Sequence, residues 1–265
     1  MRVLFLDAYN LIYRARSGYS KGDNFVIYNF FRGVRPLVEM FSPDKVYFVL
    51  EGVPKFREEL SEGMYKANRS NNDMNFHRQK ASIINIVKAC MPFTVARHPD
   101  LECDDTIATL VSKHARKGDE CTIVSSDSDF IQLLNIFENC KLYNPVRKKF
   151  IDVPDYDYVT WKALKGDPTD NIPGIKGVGD KTATSLVSNP EKLIKFLEDK
   201  DKMLIFERNV NLIRLVDFSS DMEPLELSEG AGDFEKLFDI FNDLEFNSML
   251  KEKTWNKYVQ TFRGL

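Results

Sequence analysis

The chain has 265 residues, 43% of them apolar, with Gly at 13 and Pro at 11 positions, which excludes a disordered or fibrous protein and suffices for one large core or two modest ones. Apolar runs such as Val46-Tyr47-Phe48-Val49-Leu50 are too short to span a membrane, and the opening Val3-Leu4-Phe5-Leu6 meets an acid at Asp7 with no small-residue cleavage site, so neither a membrane helix nor a signal peptide is expected. The net charge of −3 hides a segregation: Asp217 to Glu245 holds ten acids against the single base Lys236, so the rest of the chain carries +6, compatible with a polyanionic partner.

In chain order, residues 2–6, 45–50, 93–97 and 121–125 are short β-branched or aromatic runs bounded by turn residues, and read as buried strands. A helix is expected over roughly 73–90, where Phe76, Ile83, Ile84 and Val87 share a face. Another is expected over 102–117, with Ile107, Leu110, Val111 and Ala115 on one side. Alternating strands and helices predict an α/β fold, a mostly parallel sheet with helices on both faces. After about residue 158 the strand signal stops. A Pro/Gly-punctuated turn region (166–180) precedes helices carrying Leu193, Ile194 and Leu197, then Leu212, Ile213 and Leu215. Cys90, Cys103, Cys121 and Cys140 form no Cys-x-x-Cys pair, and with three histidines they make neither a zinc site nor a disulfide framework; a reducing cytoplasm is the expected setting.

Ligands of open parallel sheets bind beyond the carboxyl ends of the strands. The first strand ends on Asp7, the second on Glu51, and the fourth on Asp127, with Asp129 two residues on. Glu102, Asp104 and Asp105 open the helix at 102. One acid there would stabilise the helix end by about 0.3–1 kcal/mol, but three repel one another unless a cation is near. Asp167 and Asp170 occur in a turn that would be ordinary in isolation. All these carboxylates cannot be ionised in one cleft without counter-charge. Oxygen-only donors select Mg²⁺ or Mn²⁺ over zinc. Two such ions about 4 Å apart suit in-line displacement at phosphorus, so phosphodiester hydrolysis is the expected reaction class.

Two further segments suit a nucleic acid. Ile172 to Ala183 places Gly174, Gly177 and Gly179 before a helix, where glycine permits positive φ and close backbone approach to a phosphate. Flanked by Ile172-Pro173 and Lys181-Thr182, it reads as a helix-hairpin-helix, with Lys176, Lys181 and Thr182 as DNA contacts. The second segment leaves the sheet after Glu51 and carries Lys55, Arg57, Tyr65, Lys66, Arg69, Arg78 and Lys80. An exposed charged loop is its ordinary reading. Its origin beside the acids allows it to neutralise a phosphate or hold a single strand, with Tyr65 stacking on a base. Arg147-Lys148-Lys149 reads as a solvated run.

Together these stretches resemble the 5′ nucleases: flap endonucleases, phage 5′-3′ exonucleases and the N-terminal nuclease of bacterial DNA polymerase I. The matching residues are Leu6-Asp7, Ile12-Tyr13-Arg14-Ala15, Phe56-Arg57, Tyr65-Lys66-Ala67-Asn68-Arg69, Glu102 to Asp105, Ser126 to Asp129 and Gly166 to Gly179, in family order over roughly residues 1–190. The Tyr65 to Arg69 stretch and the short length look most like phage enzymes. The resemblance implies a PIN-like nuclease core at 1–158 with a helical arch at about 55–90. It also implies a helix-three-turn-helix DNA-binding region at 159–217, leaving 218–265 as an acidic helical segment packing on the core. It implies cleavage of 5′ flaps and free 5′ ends of DNA or RNA–DNA hybrids near single-strand/duplex junctions, in replication and repair including primer removal. The cofactor implied is two Mg²⁺ ions, with Mn²⁺ able to substitute, and the protein a monomer without membrane attachment in a bacterial cytoplasm, phage-encoded.

Carried over by position, Asp7, Glu51, Glu102, Asp104, Asp105, Asp127, Asp129, Asp167 and Asp170 look like metal-site carboxylates. Lys66 and Arg69 look like the pair stabilising the scissile phosphate, Arg14 and Arg57 like phosphate contacts, and the hairpin around Gly174, Gly177 and Gly179 like a duplex clamp that takes K⁺. Glu51 departs from the family's usual aspartate; its extra methylene would shift metal spacing by about an ångström, worth about 10²-fold if uncompensated. Cys103 stands where a small residue is common and reads as packing. Two competing readings share parts of the pattern. A PIN-type ribonuclease is usually shorter and lacks the hairpin region and Asp167/Asp170. A non-catalytic DNA-junction binder would be favoured by a broken acid set.

Overall fold

The computed structural model describes residues 1–18, 22–67, 73–220 and 222–265. Its first half alternates as expected: β1 (Arg2–Asp7), α1 (Ala8–Ala15), α2 (Phe25–Phe41), β2 (Lys45–Leu50), α3 (Lys55–Leu60), α4 (Met74–Cys90), β3 (Thr94–Arg97), α5 (Cys103–Ala115), β4 (Glu120–Val124), α6 (Ile131–Leu134), β5 (Cys140–Asn144) and β6 (Lys149–Phe150). The second half is mostly helical: α7 (Tyr158–Lys165), the short strands β7 (Gly166–Asp167) and β8 (Ile172–Pro173), α8 (Asp180–Val187), α9 (Pro190–Leu197), α10 (Lys200–Ile213), β9 (Glu226–Glu229), α11 (Phe234–Asp243), α12 (Asn247–Leu250) and α13 (Glu252–Phe262). Among the described residues no helix is long and apolar enough to cross a membrane.

The main sheet has the order β6-β5-β4-β1-β2-β3-β9. Its five inner strands are parallel, and β6 and β9 run antiparallel at the edges. Because β1 is covered on both faces, its apolar residues run on without a polar alternation. Leu4 and Leu6 face a core shared with α1, α2, α4 and the C-terminal helices. Val3 and Phe5 face one shared with α5 and α6. The chain moves outward from β1 in both directions, through β2 to β3 on one side and to β4 and β5 on the other. The crevice at such a reversal is where open sheets bind ligands. Register places the site: Leu6 is level with Val124, and Asp7 with Val49. The residues that follow β2 and β4 therefore leave the sheet beside Asp7.

Several elements differ from the sequence expectation. β5, β6 and β9 carry too little apolar alternation to be read as strands. β9, Glu-Leu-Ser-Glu, is wholly exposed and pairs with β3 through its backbone. Its acids explain part of the acidic stretch: Glu226 meets Arg97 at 3.5 Å, and Glu229 meets Lys45 at 3.3 Å and Thr94 at 2.6 Å. Asp217 accepts from Ser112 at 2.8 Å and pairs with Arg116. Beyond these, Leu237, Phe241, Phe246, Met249, Tyr258 and Phe262 join the first core, so the acids of α11 lie on its outer side. Of the segment expected as an arch over 55–90, residues 74–90 form α4, whose Phe76, Ile83 and Val87 are buried in the same core, and residues 68–72 lie outside the described residues. On α9 the expected apolar face is offset: Leu193, Phe196 and Leu197 pack and Ile194 is 66% exposed.

The helical region has its own small core of Leu164, Ile175, Val178, Ala183 and Leu186. Its closest crossing is at Gly174, where a Cβ would lie 2.0 Å from the Lys165 carbonyl oxygen, so only glycine fits. Within this region the Asn209 amide donates to the carbonyls of Ala163 and Pro173, both at 2.9 Å. Other polar side chains tie the region to the helices that pack on the sheet. Gln132 exchanges bonds with Ile213 and Leu215 at 3.0 and 3.1 Å. Arg57, only 2% exposed, donates to the carbonyls of Leu212 and Arg214 and makes a two-pronged pair with Asp105, one prong at 2.7 Å. Asp105 also accepts from the Val216 backbone N–H at 2.8 Å.

Two expectations are corrected by this arrangement. Asp105 is buried as the counter-ion of Arg57 and does not line the open cleft, and Arg57 is sealed inside the protein where no phosphate reaches it. Removing one partner of such a pair leaves an uncompensated buried charge. Asp105→Ala is expected to lower unfolding free energy by about 3–5 kcal/mol in urea titration; a loss below about 1 kcal/mol would show that the pair is not the tie described.

Candidate active site at the carboxyl edge of the sheet

Asp7 closes β1 and caps α1: one carboxylate oxygen accepts from the Asn10 backbone N–H at 3.0 Å, the other from the Ser125 hydroxyl at 2.7 Å. Ser125 in turn accepts from the Asp127 N–H at 3.0 Å, and Asp127 from the Asp129 N–H at 2.9 Å. The Asn10 side chain clamps this loop through Ser126, at 2.7 Å through its amide nitrogen and 3.0 Å through its oxygen. Strand ends and helix starts thus hold Asp7 and Asp127 side by side. Glu51 arrives after β2, and Gly52 lets the chain pass under the next loop, since a Cβ there would lie 2.0 Å from the His98 carbonyl oxygen. Its carboxylate reaches across to accept from the Cys103 N–H at 3.2 Å. The extra methylene therefore lets Glu51 bind the first turn of α5, where an aspartate would be shorter. Cys103 is buried, its thiol 3.3 Å from the Val49 carbonyl oxygen.

Asp7, Glu51, Asp104, Asp127 and Lys66 line one open cleft of about 1240 Å³, which continues along α1 and α2 past Arg14, Arg32 and Lys148. A second group adjoins it, in which carboxylate oxygens of Asp129, Asp167 and Asp170 lie within 4.8 Å of one another. Glu102 joins the two. It is paired with Lys66, accepts from the Tyr65 hydroxyl at 2.9 Å, and lies 3.0 Å from Arg57. The Lys66 ammonium is also 3.8 Å from Asp170. The structure therefore brings eight of the nine expected carboxylates to one edge of the sheet, Asp105 being the exception.

Sequence reasoning missed Lys162, on α7, which is buried against Asp129 and stands 2.6 Å from Asp167. A lysine in the last turn of a helix usually points to solvent, and only the packing of α7 turns this one inward. Ser125 was missed too, whereas the Asp7 cap of α1 is a pattern that sequence could have yielded. Tyr65 was expected to stack on a base; instead its ring is buried and its hydroxyl serves Glu102 and Asp170. Arg69 lies outside the described residues. Arg14, expected as a phosphate contact, lines the cleft. On the hairpin, Lys176, Gly177, Gly179, Lys181 and Thr182 are all exposed, and Gly177 takes φ +83°.

The electrostatics report a shortage of positive charge. Burial pushes Asp7 up to about 6, against the hydrogen bonds from Asn10 and Ser125. Burial, then Glu102, pushes Glu51 up to about 7. Asp129 rises to about 7 by burial, although Lys162 opposes it, and Asp104 is raised by burial and by Asp127 and Asp7. Asp167 is the exception: burial raises it, but Lys162 outweighs that and holds it below the ordinary range. Both lysines are raised: burial opposes the charged form, and the attraction of the neighbouring acids outweighs it. A cluster of oxygen donors, close together and under-neutralised, fits a hard divalent cation.

Residues 2–162 match the model of the 5′-3′ exonuclease N-terminal resolvase-like domain, and residues 153–229 that of the 5′-3′ exonuclease C-terminal SAM fold. The chain belongs to the 5′-3′ exonuclease family. It is 30% identical to a 5′-3′ exonuclease of Aquifex aeolicus, over 95% of both chains. It is 32% identical to the thermostable DNA polymerase I of Thermus thermophilus, over 95% of this chain but only 33% of the polymerase. The chain thus spans about a third of the length of such polymerase relatives. The fold is shared with the bacteriophage T5 flap endonuclease, solved with DNA and metal ions, at TM-score 0.66 and 18% identity over 99% of this chain and 98% of that one.

The raised carboxyls give a signed expectation for this exonuclease-family chain. Above the ordinary carboxylate range and below about 7, the folded protein holds protons that the unfolded chain has released, so stability falls as pH rises through that window. In EDTA, the unfolding temperature should be several degrees lower at pH 8 than at pH 5.5, and excess Mg²⁺ at pH 8 should restore it. A higher unfolding temperature at pH 8, with no Mg²⁺ effect, would contradict the charge shortage.

Proposed function

We propose that the chain is a structure-specific 5′ nuclease, acting as flap endonuclease and 5′-3′ exonuclease on DNA near single-strand/duplex junctions, with RNA–DNA hybrids also accepted. The observation that carries this reading is the meeting of eight carboxylates, drawn from Asp7 to Asp170, at the strand reversal of the sheet, beside an exposed glycine-rich hairpin. Two Mg²⁺ ions are the proposed cofactors, replaceable by Mn²⁺: one held by Asp7, Glu51, Asp104 and Asp127, the other by Asp129, Asp167 and Asp170, with Glu102 between them. When bound, such ions neutralise a scissile phosphate and make water a better nucleophile.

The chain's own residues supply the rest. Arg14 and Lys66 offer positive charge to a phosphate in the cleft, Lys66 where charge builds in the transition state. The Asn10 and Ser125 hydrogen bonds keep Asp7 and Asp127 in place before substrate arrives. The exposed backbone at Gly177 and Gly179, with Lys176, Lys181 and Thr182, suits a duplex phosphate run, and K⁺ at this turn belongs to the same proposal. Arg69 is retained as the proposed companion of Lys66. Primer removal in replication and repair, as a cytoplasmic monomer, is the proposed setting. The T5 neighbour's complex with DNA and metal ions supports this reading at the level of fold.

Purified protein with Mg²⁺ is expected to release short oligonucleotides from a 5′-labelled flap, EDTA to stop it, and Asp7→Asn to reduce the rate at least about 10²-fold. A flap left intact in both Mg²⁺ and Mn²⁺, yet bound, would favour a junction binder instead.

A further inference from the structure

Lys66 reaches the carboxylates because its backbone is held by the turn that carries two of them. The Lys66 N–H donates to the Asp170 carbonyl oxygen at 3.0 Å. The Asn171 side-chain amide donates to the Met64 carbonyl oxygen at 2.7 Å, a bond joining positions 107 residues apart. Between these bonds Tyr65 sends its hydroxyl to Glu102 and Asp170. Both Lys66 and Asn171 sit in the left-handed region, at φ +54° and +59°. Asparagine is among the few residues that adopt that region readily, which suits it to ending the 3-10 turn Pro168–Asp170. The left-handed backbone and the amide do different jobs at this position. The first closes the turn that bears Asp167 and Asp170. The second grips the carbonyl two residues before the lysine.

We propose that Asn171 is a positioning residue for the reaction: its side-chain amide fixes segment 64–66 to the turn of Asp167 and Asp170 and thereby sets where the Lys66 ammonium meets the scissile phosphate. This rests on the nuclease reading above. Among the described residues, Met64 is otherwise bonded at its carbonyl only within its own turn, by the Ala67 N–H at 3.2 Å, and Tyr65 donates a local bond from its N–H to the Ser61 hydroxyl at 3.0 Å. Those local bonds shape the segment without fixing it to the carboxylates. Asn171 supplies the side-chain bond that crosses to the segment's backbone. Glycine at this position keeps the left-handed turn and deletes the amide; aspartate also tolerates the turn but sets an acceptor against an acceptor.

The test compares wild type, Asn171→Gly, Asn171→Asp, Lys66→Ala and the double variant Asn171→Gly/Lys66→Ala. Three measurements are made: single-turnover cleavage of a 5′ flap in Mg²⁺, flap affinity in EDTA, and lysine acetylation of the metal-free protein mapped by mass spectrometry. Asn171→Gly and Asn171→Asp should each slow cleavage about 10- to 100-fold, the size of effect that misplacing a group by about an ångström produces. Flap affinity should change less than about threefold. Asn171→Gly should cost nothing further in the Lys66→Ala background, since both changes remove one function. Lys66 should acetylate several-fold faster in both Asn171 variants while buried Lys162 stays protected. An active wild type whose Asn171→Gly variant keeps its rate, loses rate equally in the Lys66→Ala background, or shows unchanged Lys66 labelling overturns the Asn171 proposal alone. An inert wild type in Mg²⁺ and Mn²⁺ overturns the nuclease reading, and with it the role given to Asn171.

Discussion

Packing eight carboxylates at the end of a sheet is unfavourable, and the rest of the molecule is arranged around that cost. Three cations inside the protein offset part of it: Arg57 beside Asp105 and Glu102, Lys66 beside Glu102 and Asp170, and Lys162 between Asp129 and Asp167. Asp7, Glu51, Asp104 and Asp127 share the cleft with Lys66 alone among these. The residues nearest the open cleft are therefore the least neutralised. That is the condition under which a divalent ion binds most favourably and in which a phosphate would be repelled without one.

Polar ties between the helical region and the elements packed on the sheet are directed at backbone carbonyls. Gln132 donates to Ile213, and Arg57 to Leu212 and Arg214. Apolar packing would bury the same area but would tolerate sliding, whereas a hydrogen bond with a fixed donor and acceptor sets a position. The exposed hairpin is thus held in a set position relative to the carboxylates. The same device recurs at smaller scale where Asn171 meets Met64.

Glu51 illustrates how one position serves both folding and site. The side chain reaches the Cys103 N–H, a donor in the first turn of α5 that has no intrahelical partner, while its residue still lines the cleft. The acidic stretch from Asp217 likewise has a structural account. Asp217, Glu226 and Glu229 pair with Arg116, Arg97 and Lys45, and the acids of α11 face away from the core that Leu237 and Phe241 join.

The sequence by itself determined the inner strands that end on acids, the core helices and the hairpin, because each is written locally, in apolar period, in glycine placement or in an acid at a strand end. It could not show β9, which pairs through its backbone and carries no apolar pattern. Tertiary structure alone decided the charge pairing. Asp104 and Asp105 are adjacent in the chain and identical in type, yet one opens on the cleft and the other disappears against Arg57, because successive residues of a helix point about 100° apart. Lys162 and Tyr65 were illegible for the same reason: whether a side chain turns toward a site depends on how its element packs against another far along the chain, and no local pattern records that.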